Sequence, residues 1–329
     1  MGEESKDNQH VNVPYSRPAY IGDIRESKLG EALLTTVSAG ILSKGPYARQ
    51  LAAKIAHDTG YRLGVPFSSC TQALYALAEW YAGAFLIVEV RAFTWISTIR
   101  PWQDIVGHAD EYSNVVFADR DEKTWQTRPA ATERDVAVGV DTFGSVNPDS
   151  QNFHIVDSAQ SLGAKWNTTK PHRVISLSPS KIVTAGEGGI LLTQNGYLAG
   201  FAEERASWAA RMPETCAIVG MAYYERLKEF RAKKDEIDKA YREKFPNLRW
   251  QEIPVDSNHH TVAALVRDPK RVMMDNPTWE FKRYYQNEHV SLLPVSSFLS
   301  RHMLCFPAFV DFPLQALDEL KLDEKEQAI

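Results

Sequence analysis

The fold of this chain is decided by residues 152–192, which read NFHIVDSAQSLGAKWNTTKPHRVISLSPSKIVTAGEGGILL. This stretch contains three short apolar runs, over 153–156, 173–177 and 190–193. Short apolar runs bounded by glycine and proline are typical of buried strands. The first run is followed by Asp157, and the second leads into SPSK, whose last residue is Lys181. Because α/β folds place functional groups where strands end, we expect Asp157 and Lys181 to share one site.

An acid and a lysine in one cleft are the two anchors of a site for pyridoxal phosphate (PLP). A lysine beside a catalytic cleft can lose its proton and form a Schiff base with a carbonyl. A carboxylate that faces a pyridine nitrogen keeps that nitrogen protonated, so the ring can act as an electron sink. Taken alone, Lys181 and Asp157 are better explained as a solvated loop lysine and a strand-end cap. The decision between these interpretations therefore depends on the surrounding motifs.

Strand and helix patterns alternate through the first half of the chain. Apolar periodicity predicts helices over 29–42, 47–59 and 72–81, and strands over 85–90, 114–118 and 136–140. A further helix is expected between Trp95 and Trp102. Repeated strand–helix–strand units predict a mainly parallel sheet. The SSCT segment before the third helix is typical of an N-cap, and a helix start of this kind also binds phosphate.

The second half of the chain predicts a different organisation. Residues 210–245 form a long helical pattern, in which Met221, Tyr224, Leu227 and Phe230 keep one apolar face, so we expect a long bridging helix. Beyond it we expect two strands, over 260–266 and 300–306, and a last helix over 313–320. The predicted organisation is a disordered tail (1–12), a large domain (13–225), and a bridging helix with a small α+β domain (226–329).

Composition limits the possible functions. The chain has 329 residues, 44% hydrophobic and 24% charged, with a formal net charge of -5, which argues against nucleic acid as a main partner. The amino terminus is polar and unlike a signal peptide, and no apolar segment approaches the ~18 residues of a membrane span. We therefore expect a cytoplasmic protein. Three cysteines without CxxC spacing, and an isolated His259-His260 pair, predict no metal site.

Six motifs, taken in order, resemble those of the DegT/StrS family of sugar aminotransferases. They are SAGILSKGPYARQLAAKIAHDTG, SSCTQAL, RAFTWISTI, HIVDSAQSLGA, SLSPSKIVTAGEGGILLT and ARMPETCAIVGMAYYERLKEFRAKKDEI. The resemblance extends from about residue 14 to 240. It implies a three-layer fold type I PLP-dependent transferase, in which a mainly parallel central sheet carries helices on both faces and a small C-terminal α+β domain follows. It also implies a homodimer whose active site is shared between subunits.

The resemblance assigns roles to Asp157 and Lys181, the two residues that follow predicted strands. Lys181 would hold the cofactor through a Schiff base and move the proton between substrate and cofactor. Asp157 would pair with the protonated ring nitrogen. Five further positions match cofactor-binding positions of the family. Gln160 would bond the ring oxygen and Trp95 would stack on the ring, while the phosphate would be held by Ser176, Thr71 and the backbone at Cys70.

The family resemblance implies transfer of an amino group from an amino acid, with glutamate as the expected donor, to a keto-sugar linked to a nucleotide. The chain departs from the family where Ala209 replaces an asparagine that reaches the partner's phosphate, and where Cys70 replaces a glycine. The 196–211 segment and the C-terminal domain are also shortened. Two alternatives stay open: a catalytically silent or regulatory member of the fold, and a PLP enzyme that acts on a non-sugar substrate.

Overall fold

The computed structural model describes residues 12–24, 27–82, 86–107, 114–127 and 135–323. The predicted tail lies outside these ranges except for Asn12, as does the beginning of the strand expected over 85–90. Val13, the residue after Asn12, forms an isolated parallel bridge with Trp279. Within the described ranges, no helix combines the length and the apolar character needed to cross a bilayer.

A seven-stranded sheet forms the centre of the molecule. Its strands are β1 (Leu63–Phe67), β2 (Ile87–Arg91), β3 (Asn114–Ala118), β4 (Val136–Val140), β5 (Ile155–Asp157), β6 (His172–Ser176) and β7 (Gly189–Thr193). They are arranged in the order β1-β7-β6-β5-β4-β2-β3. β7 runs antiparallel to both of its neighbours, and the other pairings are parallel. The mainly parallel sheet predicted from the sequence is confirmed.

Helices cover both faces of this sheet. They are α1 (Lys28–Ser38), α2 (Pro46–Asp58), α3 (Cys70–Tyr81), α4 (Ile96–Ile105), α5 (Gly196–Ala209) and α6 (Glu214–Glu225). Successive strand residues point to opposite faces. Val174 packs in the core formed with α3, α4 and α5, whereas the next residue, Ile175, packs in the core formed with α2 and α6. The alternation produces the predicted three-layer arrangement.

The remaining described residues form a smaller sheet with its own core. Its strands, β8 (Arg249–Trp250), β9 (Val262–Leu265) and β10 (Met303–Phe306), lie antiparallel in the order β10-β9-β8. The helices of this part are α7 (Leu227–Lys244), α8 (Pro269–Asp275) and α9 (Pro294–His302). Tyr241 of α7 packs with Phe306 of β10 in the core.

The structure corrects three predicted elements in the second half of the chain. The long bridging helix is two helices, because Arg226 leaves helical geometry between α6 and α7. Its guanidinium donates to the Tyr20 carbonyl oxygen at 2.8 Å and to Glu229. The helical periodicity of the sequence gives no sign of these contacts. The strand expected over 300–306 begins only at Met303, after α9. The last helix is a 3-10 turn over Leu314–Glu319. The domain division after residue 225 stays a prediction.

Candidate active site

All seven site residues predicted from the sequence line one cavity of about 320 Å³. They are Cys70, Thr71, Trp95, Asp157, Gln160, Ser176 and Lys181. The cavity lies at the carboxyl edge of the large sheet, because β5 ends at Asp157 and β6 ends at Ser176. Open parallel sheets bind their ligands at this edge. The fold therefore brings together residues that are up to 111 positions apart, between Cys70 and Lys181.

Asp157 is a buried carboxylate with two internal donors. Its Oδ2 accepts a hydrogen bond from Thr98 Oγ1 at 2.6 Å, and its Oδ1 accepts one from the Ala159 N–H at 3.0 Å. Burial raises the pKa of Asp157, while the bonds from Thr98 and Ala159 and the charge of Lys181 act to lower it. A protonated pyridine nitrogen would supply a cation to this buried group, which favours its ionised form.

Lys181 lies in the loop that follows β6. Its backbone N–H donates to the Ser178 carbonyl oxygen at 3.0 Å, which closes a turn. Burial lowers the pKa of its ammonium group, and the charges of Cys70 and Asp157 act in the opposite direction. A lowered pKa increases the fraction of neutral amine, which is the nucleophilic form of lysine. Lys181 and Asp157 are thus close enough to influence one another electrostatically.

The start of α3 forms an anion cradle. The Ser69 side chain caps the helix by accepting from the Gln72 N–H at 3.2 Å. Within the described part of the chain, the N–H groups of Cys70 and Thr71 have no hydrogen-bond partner. Free N–H groups and the helix dipole both attract a phosphate there. The Ser176 hydroxyl lines the same cavity and accepts from the Ser178 N–H at 3.4 Å.

Gly189 of β7 lets this strand approach the cradle closely. A Cβ atom at Gly189 would lie 2.3 Å from the Cys70 nitrogen and 2.4 Å from the Ser69 carbonyl carbon. The backbone of β7 therefore touches the first turn of α3, and only a residue without a side chain permits that approach. This contact positions the cradle relative to β6, which pairs Ser176 with Gly189.

Trp95 is the N-cap residue of α4 and has an unusually exposed ring for an apolar side chain. It is 57% exposed and lines the cavity. Its ring meets Tyr284 and Tyr285 at centroid distances of 6.2 and 6.5 Å, both in edge-on geometry. An aromatic ring fixed at its edge and open at its face is suited to stacking on a flat cofactor.

Gln160 is oriented by backbone and side-chain donors. Its Oε1 accepts from the Phe143 N–H at 3.0 Å and from the Tyr285 hydroxyl at 3.4 Å. With the oxygen used in this way, its amide NH₂ group has no partner among the described residues. That group is a free donor in the cavity, which is the capacity expected for a bond to the ring oxygen of the cofactor.

A buried ion pair stabilises the turn that carries Asp157 and Gln160. The sequence did not reveal this pair. Arg173 Nη1 donates to Asp141 Oδ2 at 2.6 Å, and both side chains are buried. The hydroxyls of Ser158 and Ser161 donate to the same oxygen at 2.8 and 2.7 Å. Ser158 directly follows Asp157, and Ser161 directly follows Gln160. This network therefore fixes the turn that presents Asp157 and Gln160 to the cavity.

The C-terminal half of the chain contributes a cavity wall that the motifs did not predict. Its lining side chains include Lys234, His260, Tyr284, Tyr285 and Phe309. The two residues of the His259-His260 pair have different surroundings: His259 pairs with Asp238, whereas His260 lines the cavity. No group of three His, Cys, Asp or Glu side chains in the described ranges could hold a metal ion.

These features fit pyridoxal phosphate group by group. The phosphate matches the α3 cradle, the ring nitrogen matches the buried Asp157, the ring oxygen matches the free amide of Gln160, and the aldehyde carbon matches Lys181. No feature of the cavity requires a different cofactor. The departure at Cys70 does not interfere, because the cradle uses its backbone N–H and not its thiol.

Comparisons with known proteins agree with this geometry. A family model described as the DegT/DnrJ/EryC1/StrS aminotransferase family matches residues 23–278. The chain is 24% identical over 274 residues to GDP-perosamine synthase of Escherichia coli O157:H7, and the match covers 72% of each protein.

Solved structures show the same fold. The model superposes with a TM-score of 0.80 on the structure of DesI solved with its TDP-sugar product, at 21% identity over 94% of this chain and 91% of that one. It superposes with a TM-score of 0.78 on E. coli GDP-4-keto-6-deoxy-D-mannose-3-dehydratase with bound hydrated PLP, at 16% identity over 94% and 98% of the two chains. These likenesses confirm the predicted fold type I architecture.

Proposed function

This chain belongs to the DegT/DnrJ/EryC1/StrS aminotransferase family, and we propose that it transfers an amino group from glutamate to a nucleotide-linked keto-sugar. The family was expected from the sequence motifs and is confirmed by the match over residues 23–278. Membership makes the protein a sugar aminotransferase, an enzyme that transfers amino groups with pyridoxal phosphate as its cofactor. The donor, the acceptor and the roles of individual residues are parts of the proposal.

One observation carries the proposal. A lysine with a lowered pKa and a buried carboxylate influence one another across a single cavity that has an anion cradle at the start of α3. Bound PLP supplies an electron sink that stabilises negative charge on the substrate carbon. Asp157 holds the proton on the ring nitrogen. Lys181 moves a proton between the substrate carbon and the cofactor as a general acid–base group.

The remaining site residues position the reactants. The N–H groups of Cys70 and Thr71, together with the Ser176 hydroxyl, anchor the phosphate, and Trp95 and Gln160 fix the tilt of the ring. A ring held at these points keeps the reacting carbon within reach of Lys181, which lowers the entropic cost of the reaction. The name of the relative GDP-perosamine synthase supports a nucleotide-linked sugar as the substrate.

We also infer that the enzyme is a homodimer with a shared site. An exposed apolar row begins on α1 and continues just past its end; it consists of Leu34, Val37, Ile41 and Leu42. The Leu42 carbonyl oxygen accepts from the Glu214 N–H at 3.0 Å, so the row adjoins the start of α6. The α5–α6 connection runs to this point from Ala209, the last residue of α5. A row of exposed large apolar side chains is typical of an interface. The second copy would cover this row and place its own α5–α6 connection near the phosphate.

The first test concerns cofactor attachment. Borohydride reduction of the purified holoenzyme, followed by peptide mass mapping, should place the cofactor adduct on Lys181. Lys181→Ala should remove the adduct and abolish turnover, whereas Lys170→Ala, at an exposed loop position, should change neither. An adduct on another lysine would overturn the site assignment.

The second test concerns the reaction. L-glutamate should bleach the visible absorption band of the bound cofactor, and a nucleotide-linked keto-sugar should restore it. A protein that binds PLP on Lys181 but responds to no amino donor would be the catalytically silent member that the departure at Ala209 allows. Restoration by keto acids alone, with no response to UDP-, GDP- or dTDP-linked keto-sugars, would favour a non-sugar acceptor.

A further inference from the structure

The cavity wall contributed by the C-terminal half of the chain carries two basic side chains, Lys234 and His260, that the proposed reaction has not used. Lys234 is on α7 and is buried. Its Nζ donates to the carbonyl oxygens of His260, at 3.0 Å, and of Ala308. An ammonium group has three N–H donors, so one is left for a ligand in the cavity that Lys234 lines.

Lys234 has no counterion within ion-pair distance in the described part of the chain. The acid one turn along the same helix, Asp238, acts on Lys234 but is occupied: it pairs with Arg242 at 2.7 Å and with His259 at 3.2 Å. A buried cation without a partner is costly, and proteins that keep one commonly use it at a functional site.

His260 is held in place by its backbone and presents its ring to the cavity. Asn258 Oδ1 accepts from the His260 N–H at 2.9 Å, and Asn258 Nδ2 donates to the Gln160 carbonyl oxygen at 2.7 Å. These bonds attach the loop before β9 to the turn that carries Gln160. Within the described ranges the imidazole has no hydrogen-bond partner. Lys181 and Lys234 both act to lower its pKa, so His260 lies within electrostatic reach of each.

The acids that line the cavity cannot balance this cluster. Asp141 is bonded to Arg173, and Asp157 is committed to the ring nitrogen. The third acid, Glu187, is exposed in the glycine-rich turn. An anion that pairs with the ammonium form of Lys234 would therefore come from a ligand.

We propose that Lys234 and His260 bind a carboxylate of the amino donor, an inference that rests on the proposed function. The acceptor is a poor alternative. Its phosphates are separated from the reacting carbon by the sugar ring, and that ring is neutral. An amino acid instead carries a carboxylate on the reacting carbon itself. His260, within electrostatic reach of Lys181, is placed to meet such a group.

The cluster also makes donor binding dependent on pH. Burial lowers the pKa of Lys234 to about 7, and Asp238 acts to raise it. Of the other groups that face the cluster, His260 is kept neutral by burial, and Lys181 also has a lowered pKa. A bound carboxylate favours the ammonium form of Lys234. Affinity for the donor should therefore fall as the pH rises through about 7.

Three variants separate this role from a structural one. Lys234→Met removes the charge and keeps the length of the side chain. Lys234→Arg keeps a charge that does not titrate in this range. Lys233→Met is the matched control, because Lys233 is 42% exposed on the same helix and pairs with Glu229 and Asp311 at the surface. Each PLP-bound variant is titrated with glutarate, an unreactive dicarboxylate, and then converted with L-glutamate, both followed in the visible spectrum.

We expect Lys234→Met to weaken the binding of glutarate and of L-glutamate about ten- to a hundredfold, the loss that corresponds to a hydrogen bond to a charged group. Its PLP content and visible band should stay those of the wild type, and Lys233→Met should bind both ligands normally. Lys234→Arg should retain affinity and lose the decline above pH 7.

Two results would overturn the inference while leaving the proposed function in place. The first is normal donor binding by a PLP-loaded Lys234→Met protein. The second is a decline above pH 7 that persists in Lys234→Arg. A wild-type protein that carries PLP on Lys181 but is not converted by L-glutamate would instead contradict the proposed function. If Lys234→Met does not fold, the pH profile of Lys234→Arg decides the question.

Discussion

Thr98 controls the charge of Asp157 through one hydroxyl group. The bond from Thr98 Oγ1 to Asp157 Oδ2, at 2.6 Å, stabilises the ionised carboxylate and so acts to lower a pKa that burial raises. In the proposed reaction, the ring nitrogen keeps its proton only while Asp157 is ionised. We therefore expect the hydroxyl of Thr98, a residue outside the cavity lining, to shift the acid limit of activity.

We expect Thr98→Val to reduce kcat/KM about tenfold, because a hydrogen bond to a charged group contributes about 1.5–3 kcal/mol. Without the donor, the pKa of Asp157 rises, so the acid limb of the pH profile should move to higher pH. Thr36→Val is the control, since Thr36 is also a buried helical threonine but lies on α1, outside the cavity lining. An unchanged acid limb in Thr98→Val would show that Thr98 does not tune Asp157.

Single residues were predictable from the sequence where a local motif carried them. Asp157 and Lys181 each follow an apolar run, and the cavity contains both. Lys234 and His260 were not predictable, because they reach the cavity only when α7 and the loop before β9 pack against the large sheet. Within its own segment, Lys234 looks like one more charge on a solvated helix. Tertiary packing, and not local pattern, converts it into a buried cation.

At the scale of elements, the contact between β7 and α3 determines the phosphate cradle. Gly189→Ala would place a methyl group 2.3 Å from the Cys70 nitrogen, so the first turn of α3 would have to move. Overpacking of this kind costs about 1–3 kcal/mol. We expect a lower melting temperature and weaker PLP binding, measured by titration of the apoprotein.

Gly200→Ala provides the comparison for Gly189→Ala. Gly200 is inside α5, and a Cβ atom there meets nothing within 4 Å. Alanine in a helix interior is more stable than glycine by about 0.5–1 kcal/mol, so this variant should melt slightly higher and bind PLP normally. Equal PLP affinity in the two variants would mean that β7 does not position the cradle.

Helices and strands were predicted well where a single hydrophobic periodicity dominates the sequence. The strands over 114–118 and 136–140 have the predicted ends, because their valine-rich runs favour a strand and leave no competing helical period. The break at Arg226 was missed, because the sequence there contains neither glycine nor proline and the cause lies in contacts to Tyr20 and Glu229. The strand expected from residue 300 was predicted too early for a similar reason: α9 continues to His302 through residues without a strong helix signal.

At the scale of the whole molecule, the proposed dimer makes Ala209 the position that limits the contribution of a second subunit. Ala209 is exposed at the end of α5, and the nearby cations already have partners in their own chain. Arg205 pairs with Glu79, and Arg211 donates to the Ser207 carbonyl oxygen at 2.5 Å. Neither is free in this arrangement to replace the asparagine of the family, so we expect the partner's hold on the phosphate to be weak.

Ala209→Asn should therefore tighten PLP binding by about tenfold, since a bond to phosphate contributes about 1.5–3 kcal/mol. Titration of the apoprotein measures the affinity, and Glu203→Asn, on the exposed side of the same helix, serves as the control. Sedimentation at assay concentration should show a dimer. A fully active monomer would contradict the shared site, and an unchanged affinity in Ala209→Asn would show that another contact already replaces the asparagine.

The position of β1 has a consequence for how the chain is made. Of the seven described strands of the large sheet, β1 is synthesised first, yet its neighbour in the sheet is β7, which follows five further strands. Until β7 emerges from the ribosome, β1 and the apolar face of α2 have no sheet to join. Such long-range pairing is slow, and unpaired strands are prone to aggregate. A nascent chain halted before Gly189 should accordingly remain sensitive to proteases in its first third, because β1 cannot pair until β7 has been synthesised.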